Sequence, residues 1–442
     1  MKYETIVGLE IHVELSTKSK MFCRCELSTL SDKPNSNTCP VCLGLPGALP
    51  FTNQSAIENC IKIALALGCT INTDSFFERK NYFYPDLSKG FQTSQFLHPF
   101  GKNGKLEIEI NGQKKSIGIT RVHMEEDTGK LTHANVNGNE VSLIDFNRSG
   151  VPLVEIVTEP DIRSGEEAKE FLTKLQRIIK YLNVSDADME KGHMRLEPNI
   201  SLRKVGEASL PNYKVEVKNI NSFRFVEKAI EYEEKRHKEL LDKKETPIQE
   251  TRGWNEFKSK TISQRSKEEA HDYRYFPEPD IPPIKLSNEQ IEKIKSEIPE
   301  LQDDKIKRFT NKYQIKKYDA EILTRKIELA NYFEEVIEIG REHDISAQKI
   351  ASHIINKKPK IKDILPASLL RQIITESTVK QIDDKLLEDT IKKVREENPQ
   401  AVTDYQSGKI QVIGFLIGMV KRKLPEAKDT EQIRKKLTEM LQ

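Results

Sequence analysis

The stretch VGLEIHVEL, Val7 to Leu15, alternates without a break. Val7, Leu9, Ile11, Val13 and Leu15 fall on one side of an extended chain, and Gly8, Glu10, His12 and Glu14 on the other. Successive side chains of a strand point to opposite faces, so this period specifies a strand with one apolar face. Two readings of its polar face stand open. It is a solvated sheet surface, or it is a cation site, because Glu and His at this spacing can converge on one ion.

With 442 residues the chain exceeds one ordinary core, and two or three domains are expected. Hydrophobic residues make up 36% and charged residues 32%, enough apolar material to fold and a well-solvated surface. The net charge of +2 gives no global basic field, so nucleic-acid binding would need a local patch. No apolar run approaches the ~20 residues of a membrane span. No leader-like run precedes the first strand pattern, and the chain reads as cytoplasmic. There, six cysteines are expected as metal ligands or buried thiols rather than disulfides.

Up to about residue 160 the pattern is strand-like, with candidates at Thr5–Leu15, Leu106–Ile110, Ser116–His123, Val141–Phe146 and Val151–Thr158. Asn111-Gly112 signals a hairpin. Ser55–Leu67 reads as a helix, and Ser164-Gly165-Glu166-Glu167 as a capping box opening a second one. Strands return at Met194–Arg203 and Tyr213–Lys218, followed by a charged helix from about Arg224 to Lys244. Pro277–Leu286 reads as a strap closing the first domain. Beyond it the sequence turns helical, near Asn288–Lys295, Tyr318–Thr324, Leu329–His343, Ala347–Ile355 and from about Pro366. The expected fold class is α+β: a body over 1–286, with a ribbon at about 20–45, then helical domains over 287–365 and 366–442.

Four groups of residues carry chemistry. Cys23 and Cys25, with Cys39 and Cys42, form two close pairs joined by a loop, the tetrathiolate pattern of structural zinc; Cys60 and Cys69 read as core. TRVHMEEDTGK places His123, Glu125, Glu126 and Asp127 at a strand end before a turn, where active sites gather. Glu155 interrupts the apolar run VPLVEIV, an expensive place for a carboxylate unless it meets a cation or donor. Together Glu10, His12, Glu125 and Glu155 would make an oxygen-rich site suited to Mg²⁺ or Mn²⁺. In FERKNYFYPDLSKGFQTSQ, Arg79, Lys80 and Lys89 are interleaved with aromatics, as a phosphate-bearing ligand with a ring to stack would require. His271 and Arg274 repeat that character in RSKEEAHDYRYFPEPD. No P-loop motif is present, so a bound ATP would rely on carboxylate-held metal and separate cations.

Those segments, with NTCPVCLGLPGALP, NRSGVPLVEIVTEPDIRS, VKNINSFRFVEKAIEYE and SGKIQVIGFLIGMVKRKL, resemble in order and over nearly the whole chain one family. It is the B subunit of the tRNA-dependent amidotransferases, which act on Glu-tRNA(Gln) and Asp-tRNA(Asn). The resemblance implies a glutamine synthetase/guanido-kinase-like cradle with a small zinc ribbon, followed by all-α domains. It implies ATP, Mg²⁺ and structural Zn²⁺ as cofactors. It implies phosphorylation of the misacylated side-chain carboxylate and amidation by ammonia from an amidase A subunit, clamped by a small C subunit. It assigns Glu10, His12, Glu125 and Glu155 to the Mg²⁺ environment, with Glu14 and Glu126 beside them. Arg79, Lys80, Tyr82, Tyr84 and Lys89 fall near the substrate pocket or ammonia path. It places tail cations such as Lys421-Arg422-Lys423 and Arg434-Lys435-Lys436 on the tRNA. Two alternatives are the archaeal E subunit, whose inserted domain has no room here, and a zinc-ribbon tRNA-binding scaffold without catalysis. One segment departs from the family: Leu196-Glu197 stands where a Cys-Asp pair is usual, with His193 nearby.

Overall fold

The computed structural model describes residues 2–27, 32–266, 272–343, 345–377, 384–425 and 430–441. His271 lies outside the described residues. The chain divides into two compact units, ending at Asp304 and beginning at Lys305.

The first unit is built on a nine-stranded sheet. Across it stand Lys260–Ser266, Glu250–Asn255, Val215–Lys218, Met194–Lys204, Tyr3–Glu14, Pro152–Thr158, Gln113–Glu126, Gly101–Ile110 and Thr70–Ile71. Neighbours are antiparallel except Val215–Lys218 beside Glu250–Asn255. The alternating strand is the central one. Its Val7, Leu9, Ile11, Val13 and Leu15 are all fully buried. At ~1.5–3 kcal/mol for each fully buried side chain, they contribute roughly 10 kcal/mol. A register slip of one residue would put Glu10, His12 and Glu14 in their place, so the register is strongly specified.

The helices Gln54–Ala66, Gly165–Tyr181 and Phe223–Asp242 lay their apolar stripes on that side. Ile61, Phe171, Leu175 and Ile230 join the strand residues in one core. This is the α+β arrangement expected, with helices gathered on one face of a mainly antiparallel sheet. Asn111 and Gly112 both take positive φ, 51° and 77°, in a tight turn that sets Ile110 opposite Gln113. Ser164 caps its helix by accepting from the Glu167 N–H at 3.1 Å. The return bond differs from the expected box: the Arg163 N–H, not that of Ser164, donates to Glu167 Oε2 at 2.7 Å. Lys115 holds the same oxygen from the sheet. The proline-rich segment is a strap, its Phe276–Pro277 pairing with Glu78–Asn81 and its Ile284–Lys285 with Asp74–Ser75.

The second unit is helical and holds two cores. One joins Phe309, Phe333, Val336 and Ile350 with Leu369, Leu370 and Ile373. The other joins Leu387, Ile391, Leu416, Val420, Ile433 and Leu437. A division at 366 would cut the helix Pro366–Ser377 from the core it completes; the break between the cores lies after that helix. The helix Gln302–Tyr313 lies outside the helices expected from the sequence; its Ile306, Phe309 and Tyr313 turn onto the first of these cores. No described helix is long and apolar enough to cross a membrane.

Between the helix Phe223–Asp242 and the sheet lies a buried charge cluster. Glu233 is fully buried and accepts from Arg236 at 2.7 Å. His237 and Arg252 approach it at 2.9 and 3.2 Å, and the Thr261 hydroxyl donates to it. Burial opposes its charge, but the hydrogen bonds from His237 and Arg236 prevail and hold the carboxyl down at about 2. A carboxyl lowered on folding contributes stability that is complete above its unfolded value near 4.5 and vanishes as pH falls toward 2. Glu233→Gln is expected to cost about 3 kcal/mol at pH 7. The difference from wild type should shrink below pH 4.5, as urea unfolding at both pH values would register.

Candidate active site and metal-binding clusters

Strand register builds the polar face. His12 stands opposite Glu155 on one side and Arg195 on the other, and Glu155 stands opposite His123. Three strands thereby bring His12, Glu125 and Glu155 together, with one donor atom of each within 4.8 Å of the others. His12 Nε2 lies 3.6 Å from Glu155 and 3.8 Å from Glu125. His123 Nε2 lies 3.2 Å from Glu155, while its Nδ1 is buried without a partner. Ser94 donates to Glu125 Oε1 at 2.9 Å, Gln92 to Oε2 at 3.2 Å, and Lys80 Nζ stands 3.6 Å away. Burial opposes the charge on His12, but Glu155 and Glu125 outweigh it and raise the imidazole to about 9. Two carboxylates and the His12 imidazole with this geometry form a triad of donors for a hard divalent cation, which would displace the His12 proton on binding.

Glu10 belongs elsewhere. It lies two residues from His12, about 7 Å along the strand, and pairs across with Val157 and Glu197. It converges with Glu197 and Glu216 in a second acidic cluster. Asn199 donates to Glu10 at 2.9 Å, and Lys218 stands 3.1 Å from Glu197. A cleft of about 370 Å³ opens beside it, lined by Gly8, Glu10, Val157, Asn199, Ser201 and Tyr213 among others. The departing segment divides between faces: Leu196 is buried with the core, Glu197 looks onto the polar face, and His193 pairs with Asp186 at 2.7 Å.

Glu14 and Glu126 are occupied. Arg195 bridges Glu14, at 2.6 Å, and the buried Asp127. Burial and the Asp127 charge push the Glu14 carboxyl up to about 8. Glu126 accepts from Lys89 and from the Thr93 N–H at 2.9 Å, so it anchors a loop. Of the cations expected at a ligand, Lys80 stands at the triad and over the Tyr273 ring at 5.2 Å. Arg79 is forked onto Glu278 of the strap, with both bonds 2.7 Å, and contacts Asp280 at 3.2 Å. Tyr82 packs edge-on against Tyr273 at 5.9 Å, and Tyr84 is largely exposed.

Cys23, Cys25, Cys39 and Cys42 converge with all four sulfurs within 4.8 Å of one another. The Cys39 N–H donates to Cys42 Sγ at 3.2 Å, and the fully buried Lys20 reaches it at 3.6 Å. The hydrogen bond from Cys23, with these donors, holds the Cys42 thiol down at about 4. Soft thiolates in this number suit a metal such as zinc. Ser88 and Ser149 both donate to the Cys42 carbonyl, at 2.8 and 2.9 Å, which ties the cluster to the loop carrying Lys89. Cys60 and Cys69 are in the core.

Sequence reasoning missed Arg195, Glu216, Ser94, Gln92 and Lys20 as parts of these sites. The alternation in Met194–Arg203 places Arg195 and Glu197 on one face, but no local pattern reveals which strand lies beside it.

A family model described as "GatB/GatE catalytic domain" matches residues 5–292, and one described as "GatB domain" matches residues 306–441. The chain is 46% identical to the B subunit of the aspartyl/glutamyl-tRNA(Asn/Gln) amidotransferase of Pseudothermotoga lettingae, over 100% of both chains. It is 45% identical to the protein of that name from Thermotoga sp. (strain RQ2), over 96% of this chain and 95% of the relative. It is also 45% identical to that of Dehalococcoides mccartyi (strain CBDB1), over 95% of each.

The triad and the Glu10 cluster are separable by binding. Glu155→Gln is expected to weaken Mn²⁺ at the triad by at least about tenfold in a titration followed by electron paramagnetic resonance. Glu10→Gln should leave that affinity within about twofold, since Glu10 converges with other carboxylates.

Proposed function

Because the chain belongs to the family of tRNA-dependent amidotransferase B subunits, we infer that it is the B subunit of an aspartyl/glutamyl-tRNA(Asn/Gln) amidotransferase. Such an enzyme is a glutamine-hydrolysing ligase that amidates the side-chain carboxylate of Glu-tRNA(Gln), Asp-tRNA(Asn) or both. A carboxylate is a poor electrophile, because oxide would have to leave. Transfer of the γ-phosphoryl of ATP to one carboxylate oxygen gives an acyl phosphate and ADP. Ammonia then attacks the carbonyl carbon, and phosphate leaves. The observation that carries this reading is the convergence of His12, Glu125 and Glu155 from separate strands on one polar face.

His12, Glu125 and Glu155 would hold Mg²⁺, which would supply positive charge to offset the charge that develops in the transfer. The chain's own groups prepare that set. Ser94, Gln92 and Lys80 fix Glu125, and His123 fixes Glu155. Lys89, held by Glu126 and Thr93, and Tyr82 and Tyr84 border the substrate. The cleft beside Glu10 has the size for a nucleoside. Helices on one face and an acidic belt on the other support a cradle of the glutamine synthetase/guanido-kinase type. The four cysteines would hold Zn²⁺ and brace the Lys89 loop. Ammonia comes from an amidase A subunit, with a small C subunit clamping the pair, in the cytoplasm where the misacylated tRNA is made. In the tail, Lys423 pairs with Glu397 and Lys436 with Glu388. Of the tail cations singled out in the sequence, exposed Arg422, Arg434 and Lys435 pair with no described carboxylate and would meet tRNA phosphates.

Glu125→Gln is expected to lower ATP-dependent activation by about 100-fold or more in the assembled enzyme. Binding of tRNA should be nearly unchanged, and normal turnover by this variant would move the chemistry elsewhere. Arg422→Ala and Lys435→Ala should each weaken tRNA binding and reduce the salt slope by about one, measured by filter binding between low and moderate salt.

A further inference from the structure

The polar face carries a guanidinium, that of Arg121, that makes no ion pair among the described residues. Arg121 lies on the strand Gln113–Glu126, two residues before His123 and four before Glu125, and so on the same face of the sheet. Its row runs Arg121, Val157, Glu10, Glu197 across four strands. Val157 lines the cleft, so Arg121 stands one strand from the cleft and two residues from the triad.

Several other cations near this face are neutralised by carboxylates: Lys80 by Glu125, Lys89 by Glu126, Arg195 by Glu14 and Asp127, Lys218 by Glu197; Lys214, exposed at the cleft, is a further cation with no ion pair among the described residues. Among the described residues, no ion pair is made by Arg121. Its Nε is buried without a hydrogen-bond partner. Its guanidinium rests 5.7 Å over the Phe96 ring, which is stacked on Tyr275 at 4.7 Å. A ring holds a guanidinium far more weakly than a carboxylate fork does. Directly opposite Arg121, on the neighbouring strand, is a second cation, Lys102, whose ammonium among the described residues donates only to the Leu97 carbonyl, at 2.9 Å. Like charges facing each other across strands are unfavourable unless an anion joins them.

We propose that Arg121, with Lys102 beside it, binds the phosphate chain of the nucleotide and guides its terminal phosphoryl toward the His12–Glu125–Glu155 set. The guanidinium rests over Phe96, with its Nε lacking a partner and no ion pair among the described residues, so it can fork onto a doubly charged tetrahedral ligand. The role that the sequence suggested for Arg79 falls to Arg121, because Arg79 is already forked on Glu278. This inference rests on the nucleotide reading above.

The test uses the assembled enzyme with Glu-tRNA(Gln) or Asp-tRNA(Asn). Arg121→Ala is expected to raise the KM for ATP by at least about tenfold, with the KM for aminoacyl-tRNA and the Mn²⁺ affinity without nucleotide both unchanged. Arg121→Lys keeps the charge and loses the fork, so its KM should fall between wild type and alanine. It also supplies the measurement if the alanine variant does not fold. Lys102→Ala should raise the same KM by a smaller factor. An unchanged KM for ATP in a folded Arg121→Ala or Arg121→Lys variant overturns the inference, as does an effect confined to aminoacyl-tRNA. Wild-type enzyme that consumes no ATP with either aminoacyl-tRNA would instead sink the amidotransferase reading itself.

Discussion

Burial of one side of a single strand is the constraint on which the rest depends. Tyr3–Glu14 is the middle strand of nine, and its apolar side is sealed by three helices. Because side chains alternate, sealing Val7, Leu9, Ile11 and Val13 forces Gly8, Glu10, His12 and Glu14 to the opposite face. The strands on either side obey the same rule. Each contributes its own polar residues to that face, and an acidic belt forms without any loop having to carry it. A site set on paired central strands is held more rigidly than one carried by loops.

Such a belt gathers carboxylates whose charges repel one another and lose water on burial. The fold answers with an interleaved set of cations and donors. Glu155, for all its burial, is held well below the usual carboxylate range by His123 and His12. Arg195 sits between Glu14 and Asp127, and Lys80 faces Glu125. The compensation is local: at the triad the His12 proton and Lys80 offset Glu125 and Glu155, whereas Arg121 and Lys102 make no ion pair among the described residues. Under the proposed function, a metal replacing the His12 proton and a polyphosphate at the two cations would complement both places.

The cysteine cluster and the strap act on the same face from outside the sheet. The Cys42 carbonyl receives Ser88 and Ser149, which fixes the loop that presents Lys89 to Glu126. Glu278 of the strap captures Arg79 and thereby pins Glu78–Asn81, the short strand that also supplies Lys80. Two features that read separately in the sequence thus position Lys89 at Glu126 and Lys80 at Glu125.

Much of the fold was legible in advance, because period, capping and turn chemistry are local. The strands around Val7–Leu15 and Val151–Thr158, the Asn111-Gly112 hairpin and the Ser164 cap all follow from residues a few positions apart. The paired cysteines and the family resemblance were equally contained in the order of residues. Partnership across the sheet was not. That Glu10 joins Glu197 and Glu216 rather than His12, and that Arg79 is neutralised while Arg121 makes no ion pair among the described residues, depends on which strands lie side by side and in what register. The sequence by itself determined which face of each strand would be polar. Only tertiary structure decided which polar groups share a site, because register is fixed by burial summed over the whole sheet and not by any segment alone.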